Sequence, residues 1–411
     1  MNSIIKDINL KESGYLKLRW AKKHMPVLNY LCDEYRDNKP FEGMRINICL
    51  HIEAKTGCLA LALQELGAEV ALAGCNPLST QDDVAAALAD SGIYVCGVHG
   101  CDDELYSTCI IKSLDNKPQL IIDDGGDLVN ILHTQKRELL EDIIGGCEET
   151  TTGLNRLRSM TAKGELTFPM IAVNDADCKH LFDNRYGTGQ SAWTAIMDTT
   201  NLIVAGSVVV VAGYGWVGKG VALRARAMGA RCIVTEIDEI KALEALMDGN
   251  DVMTMEEAAP LGDFFITCTG NIDILRREHF KVLKNGAVLC NAGHFDIEIN
   301  KNELKDFTES IVPARNNIEE YKLKDGRSIY LLGEGRLVNL ACGMGHPVEI
   351  MDMSFAVQVG ALLYLKEKGS ELEPGLHNVA RETDLMLAAA KLKSMGKHIE
   401  VLTKKQEEYY L

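Results

Sequence analysis

The sequence predicts an α/β protein made of two doubly wound parallel-sheet domains and a small helical C-terminal arm. Three observations carry this. Apolar runs of strand length alternate with amphipathic helical stretches over residues 45–122 and again over 207–295, and such alternation requires a parallel sheet covered on both faces. Residues 207–236, SVVVVAGYGWVGKGVALRARAMGARCIVTE, give a β-branched run ending in glycines, a helical pattern, and a second apolar run closing on an acid. At 411 residues the chain is long enough for two or three domains, each with its own core.

Composition narrows the class. The chain is 46% hydrophobic and 25% charged, as in ordinary globular proteins. A net charge of −16, from 43 basic and 59 acidic side chains, disfavours nucleic acids and anionic membranes as partners. The 13 cysteines are scattered and form no C-x-x-C pair, so reduced thiols are expected rather than a disulfide framework or a metal site. The first residues, MNSIIKDINLKESG, carry no apolar leader, and no apolar run reaches the ~18 residues that span a bilayer. The expected setting is cytoplasmic.

Residues 14–36 read as helix, with Leu16, Leu18, Trp20, Ala21, Met25, Leu28 and Leu31 spaced among charges. Strands follow at 45–51, 68–74, 93–98 and 119–122, with helices at 54–66 and 82–89. Polar residues gather after the strands: His51; Asn76, Ser79 and Thr80; Asp123, Asp124 and Asp127. Ligands of open parallel sheets bind beyond the strands' carboxyl ends, so topology places these groups for a site. Asn, Ser and Asp also cap helices and turns, which leaves Asn76 and Ser79 open to either role. The acidic cluster exceeds what one cap needs.

Between the two alternating regions, CEETTTGLNRL is either a hydroxyl-capped helix start or part of a site. The next stretch, AVNDADCKHLFDNRYGTGQSAW, is either a hinge loop or a helix on which Lys179 and Asp183, four apart, form an acid–base pair.

In the second region Gly213, Gly215 and Gly218 take the G-x-G-x-x-G spacing, which permits a tight turn, backbone approach to a pyrophosphate and close helix–strand packing. The anion would sit at the N-terminus of a helix beginning near Val217. Glu236 lies where an acid bonds a ribose 2′-OH and repels a 2′-phosphate, which points to NAD rather than NADP. Strands at 263–270 and 286–295 place Thr267, Thr269, Asn291 and His294 toward that cofactor. Asn339, Met344 and His346 precede a long apolar helix from about Met351. The stretch from 381 to 411 is helical, either a dimerisation arm or a solvated helix.

HIEAKT, CNPLSTQDD, IDDGGDL, EETTTG, FDNRYG, GYGWVGKG, NAGHFD and GRLVNLACGMGHP resemble, in order and spacing, the motifs of the S-adenosyl-L-homocysteine hydrolase family, in its archaeal and thermophilic-bacterial form. The resemblance implies reversible hydrolysis of S-adenosyl-L-homocysteine to adenosine and homocysteine. Tightly bound NAD oxidises the 3′-hydroxyl, the C4′ hydrogen becomes acidic, homocysteine leaves by β-elimination, water adds and the ketone is reduced again. Carried over by motif, Lys179 and Asp183 sit at the 3′-hydroxyl with Lys179 as base, Glu149 binds ribose hydroxyls, Asp124 and His51 move protons at C4′ and C5′, and His294 stands near the leaving sulfur. The cofactor set is Thr150, Thr151, Thr152, Asn184, Gly213, Gly215, Trp216, Val217, Gly218, Glu236, Asn271, Ala292, Gly293 and Asn339. The substrate set is Glu53, Lys55, Thr56, Met344, His346 and the gate residue Phe295. The resemblance further implies a homotetramer, no metal, a substrate-binding domain from 1–185 and 346–375, an NAD-binding domain over 186–345, and an oligomerisation arm over 376–411.

The sequence departs from the family twice. Animal members end in a lysine–tyrosine tail that reaches a neighbour's NAD, whereas Tyr409, Tyr410 and Leu411 stand here, so easier cofactor exchange is expected. Lys55 stands where many members carry a glutamate or glutamine that accepts from adenine's amino group. An ammonium donates only, which suits the O6 of hypoxanthine and makes S-inosyl-L-homocysteine the alternative substrate; otherwise Lys55 leaves the pocket to pair with an acid such as Glu53. An ordinary NAD-dependent dehydrogenase and a silent NAD-binding regulator are the competing classes.

Overall fold

The computed structural model describes residues 2–410. The first sheet is built from β1 (Arg45–Leu50), β2 (Glu69–Gly74), β3 (Tyr94–Cys96), β4 (Leu120–Asp123), β5 (Gly145–Glu148) and β6 (Pro169–Ala172). The second comprises β7 (Val208–Ala212), β8 (Arg231–Thr235), β9 (Asp251–Val252), β10 (Phe264–Thr267), β11 (Val288–Asn291), β12 (Thr308–Arg315), β13 (Ile318–Leu323) and β14 (Ser328–Leu332). A last strand, β15 (Gly375–Asn378), returns to the first sheet and pairs in parallel with β6. The strand orders are β15-β6-β5-β4-β1-β2-β3 and β12-β13-β14-β11-β10-β7-β8-β9. Both are doubly wound, and the order reverses between β1 and β4 in one sheet and between β7 and β10 in the other. A crevice for ligands opens at such a point.

Side chains of successive strand residues point to opposite faces, and both faces are covered. Ile46 and Ile48 pack in one core with Phe355 and Leu362 from the Val348–Lys368 helix, whereas Cys49 packs beneath with Ile110, Leu128 and Leu157. In the second domain Val209 and Val211 meet Trp193 and Ala222, while Val210 meets Phe265 and Phe280.

Three expectations change. The second sheet is not wholly parallel, because β12 and β13 add an antiparallel meander onto β14. The boundary set at 375/376 falls inside β15, and the Arg381–Ser394 helix belongs to the first domain: Asp384 accepts from the Asp177 and Cys178 N–H groups at 2.7 and 3.0 Å, and Lys391 pairs with buried Asp352 at 2.8 Å. The residues after Ser394 stand outside these contacts, among them the Lys404–Tyr410 helix, exposed over 404–409; Leu411 lies outside the described residues. Third, residues 348–371 do reach the length and mean hydropathy (1.4) of a spanning helix, but 72% of that window is buried, as the central helix of the first domain. All 13 cysteines are free thiols.

Candidate active site

The carboxyl ends of β1 and β4 deliver His51 and Asp124 to the first switch point. His51 Nδ1 lies 2.7 Å from Ser79 Oγ, and its Nε2 lies 3.3 Å from Asp124 Oδ2. Burial pushes His51 down to about 4 against the pull of Asp124, so the imidazole is neutral at neutral pH. Asp124 is also met by the Cys75 thiol at 3.4 Å and, from the other domain, by His294 Nδ1 at 3.5 Å. His51, Cys75 and Asp124 have potential ligand atoms within 4.8 Å of one another, a cluster the expectation of no metal did not foresee.

Lys179 anchors a second group. Its Nζ lies 3.2 Å from Asp183 Oδ1 and 3.4 Å from Glu149 Oε1, and it donates to Asn184 Oδ1 at 2.8 Å. The i, i+4 pairing is real, although the backbone over His180–Gly187 winds as a π-helix, a wider turn common at functional positions. Burial lowers the Lys179 pKa, but Asp183 and Glu149 more than offset it, so the ammonium is held on. Burial pushes Glu149 up to about 7 despite Lys179, whereas for Asp183 the charges of Lys179 and His346 overcome burial and hold the carboxyl low.

Polar residues on the buried Val348–Lys368 helix hold these acids: Ser354 donates to Asp183 Oδ2 at 2.7 Å and Gln358 to Glu149 Oε2. Both were missed in the sequence. Their signal was two polar residues four apart, hence on one face of an apolar helix. Glu148, which lies in the CEETTTGLNRL stretch but was given no role, is fully buried and accepts from the N–H groups of Gly125 and Thr150 at 2.9 Å each.

The two groups line one cavity, with Glu53, Lys55, Thr56, His294 and His346 on its walls. Glu53 caps the Ala54–Glu65 helix through the N–H groups of Lys55 and Thr56. Lys55 is 6% exposed, lies 2.8 Å from Glu53 Oε2 and donates to the Met344 carbonyl at 2.9 Å. It pairs with an acid, as one alternative foresaw, yet stays in the pocket. Met344 differs from expectation: its side chain is 67% exposed and its carbonyl alone reaches Lys55. His346 Nε2 lies 2.8 Å from Thr188 Oγ1 and 3.5 Å from Asp183. Phe295 packs edge-on against His294, centroids 4.6 Å apart.

The second switch point has the features a dinucleotide needs. Gly213 has φ +98°, a Cβ on Gly215 would meet open space, and one on Gly218 would lie 2.0 Å from Gly213 O. Gly215 caps the helix Trp216–Ala227, which includes Val217. Glu236 sits at the tip of β8, its carboxylate accepting from Tyr214 N at 2.6 Å. Asn339 Oδ1 is buried with no hydrogen-bond partner among the described residues, and so is available to a donor such as a carboxamide. Thr150 caps the Thr151–Ala162 helix. Thr151 accepts from Asn174, whereas Thr152 is half-buried. Ala292 and Gly293 lead into His294, and Asn271 lies exposed beyond β10. Asn184 is committed to Lys179 and Asn174.

A dinucleotide cradle in one domain and a buried set of acids and bases in the other define an NAD-carrying two-domain enzyme. Family models for "S-adenosyl-L-homocysteine hydrolase" and its "NAD binding domain" match residues 2–141 and 184–345. The chain is 56% identical to the S-inosyl-L-homocysteine hydrolase of Methanocaldococcus jannaschii, over 98% of this chain and 97% of the relative. It is 54% identical to the adenosylhomocysteinase of Pyrococcus abyssi (98% and 96% covered) and 51% to that of Thermotoga maritima (97% and 98%). The chain therefore belongs to the S-adenosyl-L-homocysteine hydrolase family and is a hydrolase that uses NAD.

Proposed function

We propose that the substrate is S-inosyl-L-homocysteine, hydrolysed reversibly to inosine and homocysteine. The observation that carries the choice of base is Lys55, a buried ammonium on the cavity wall. It has three N–H donors and no acceptor; two are turned to Glu53 and Met344 O, leaving one for O6 of hypoxanthine. Glu53 beside it supplies the acceptor that the adjoining N1–H requires. Adenine offers the reverse order, an amino donor and an N1 acceptor, which the same pair meets only if the base shifts; this keeps S-adenosyl-L-homocysteine as the second reading. Relatives of both names at 54–56% identity are consistent with either. The test compares kcat/KM for the two thioethers. Wild type should favour the inosyl substrate, and Lys55→Gln should move the ratio toward adenosyl by roughly 5- to 150-fold, the worth of a buried donor facing a donor. An unchanged ratio rejects the base reading.

Bound NAD supplies a reversible oxidant for the 3′-carbon, with the glycine cradle, Glu236 and Asn339 as its holders. Lys179 orients the 3′-oxygen, and because it is an ammonium it must pass on a proton before taking one; Glu149, near neutrality, is beside it to receive it. Neutral His51 and the adjacent Asp124 serve proton transfer at C4′ and C5′. His294, on the far side of Asp124, faces the departing sulfur. The first domain, 1–185 with the central helix, binds substrate, and 186–345 binds NAD.

The proposal extends to a cytoplasmic homotetramer that binds neither nucleic acid nor membrane and holds no metal. The acidic charge supports the first absence. Ile240, Leu243 and Met247, between 55% and 80% exposed along the Glu239–Met247 helix of the cofactor domain, with Ile237, 94% exposed, just before it, support self-association.

A further inference from the structure

One polar side chain beside the gate is used by none of these steps. Asn291 ends β11 and is fully buried. Its Oδ1 accepts from Gly293 N at 2.8 Å and from Thr267 Oγ1 at 3.1 Å. Its Nδ2 faces three carbonyls: Phe295 O at 2.8 Å, Gly335 O at 2.9 Å and Gly293 O at 3.1 Å. The orientation of the amide is therefore fixed by its surroundings, since carbonyls can only accept and an N–H only donate.

These contacts join three segments. Thr267 ends β10, the Gly293–Phe295 turn carries His294, and Gly335 leads to Leu337, which bridges back to Asn291 and lines the substrate cavity. His294 reaches Asp124 from this turn at 3.5 Å, with its ring seated on Gly125, where an added Cβ would come within 2.4 Å of Nε2. The turn is held on both sides of His294. Its two flanking carbonyls are pinned by the Asn291 amide.

We propose that Asn291 is a positioning residue for the reaction: its carboxamide fixes the turn that presents His294 to Asp124 and ties that turn to the Leu337 wall of the cavity. The inference rests on the reaction proposed above, with His294 at the leaving sulfur, and not on which base is bound.

The test is a double-mutant cycle on the NAD-loaded enzyme, with Asn291→Asp made alone and in a His294→Gln background. Aspartate keeps the shape and the acceptor but cannot donate to the three carbonyls. Thiol release should fall at least about tenfold in the wild-type background and less than about twofold in His294→Gln, as expected when two residues act as one unit. The absorbance of reduced nicotinamide formed on mixing with the nucleoside, taken per bound NAD, should not change, because that step precedes the one His294 serves. Both thioethers should lose equally, so a failed base reading leaves this result standing. Asn291→Ser, smaller and uncharged, repeats the measurement if the buried carboxylate costs the fold. Equal losses in both backgrounds, a parallel loss of the nicotinamide signal, loss of NAD from both variants, or full activity in both would each overturn the proposal.

Discussion

Gly125 carries two constraints at once. Its φ of +94° is a region that side chains with a Cβ avoid, and that Cβ would strike His294. Its N–H donates to Glu148 at 2.9 Å and its carbonyl accepts from Arg156 at 2.6 Å, so the backbone cannot turn to relieve either. Gly125→Ala should therefore displace His294 and lower kcat/KM roughly 100-fold, the scale of an ångström's misplacement at a reacting centre. Bound NAD should stay at wild-type level, since the glycine cradle, Glu236 and Asn339 are not among the groups that Gly125 bonds or abuts. A thiol-release assay with a spectrum of the purified protein checks both, and a loss below about twofold would mean that His294 tolerates the shift. At this scale the motifs made most of the site legible: His51, Asp124, Glu149, Lys179, Asp183 and His294 all reach one cavity or its wall. Met344 was misread because a spacing does not distinguish a side chain from its carbonyl, and here the carbonyl faces Lys55 while the side chain faces solvent.

Among the elements, the Val348–Lys368 helix links core to chemistry. Ser354 and Gln358 hold Asp183 and Glu149, and fully buried Asp352 accepts from Val27 N and Leu28 N at 3.0 and 2.9 Å and from Lys391 at 2.8 Å. Asp352→Ala would strip the start of the Pro26–Tyr35 helix of its acceptor and leave the largely buried Lys391 ammonium without its counter-charge, holding only the Glu349 carbonyl. Its cost should be about 3 kcal/mol, the lower end for breaking a buried pair; Ser354→Ala should cost about 1 kcal/mol, one ordinary hydrogen bond. Denaturant unfolding checks both, and equal costs would show that Asp352 is not the tie between these helices. The same helix explains what sequence patterning could not show. β5 begins with Gly145 and Gly146, and a Cβ on Gly145 would lie 2.8 Å from Leu365 of this helix; the residues that let the helix approach are the ones that erase an apolar strand signal. β6 opens on a proline and β15 contains a histidine and an asparagine, so neither stands out until paired. The runs of β1, β2, β7, β8, β10 and β11 were legible because both faces of a central parallel strand are apolar.

For the whole molecule, the decisive arrangement is that the first sheet's switch point and the His294 turn of the second domain meet around one cavity and bury ionisable groups that water would otherwise solvate. Stability then depends on pH through two opposed slopes. Glu149, raised from 4.5 to about 7, takes up a proton on folding, so its contribution is full below about 4.5 and is lost as pH rises through 7. His51, lowered from 6.5 to about 4, contributes fully above 6.5 and loses that contribution as pH falls through 4. Between pH 5 and 6.5 the two partly cancel, each changing stability by about 1.4 kcal/mol per pH unit at most. Glu149→Gln removes the descending slope, so the variant's Tm should climb with pH across this window more steeply than wild type. His51→Gln removes the ascending slope and should make Tm climb less, or fall. Measured as differences from wild type, the two changes have opposite sign whatever the other titrating groups contribute. Two variants that track wild type in parallel would mean that neither group is shielded from water as the closed crevice requires.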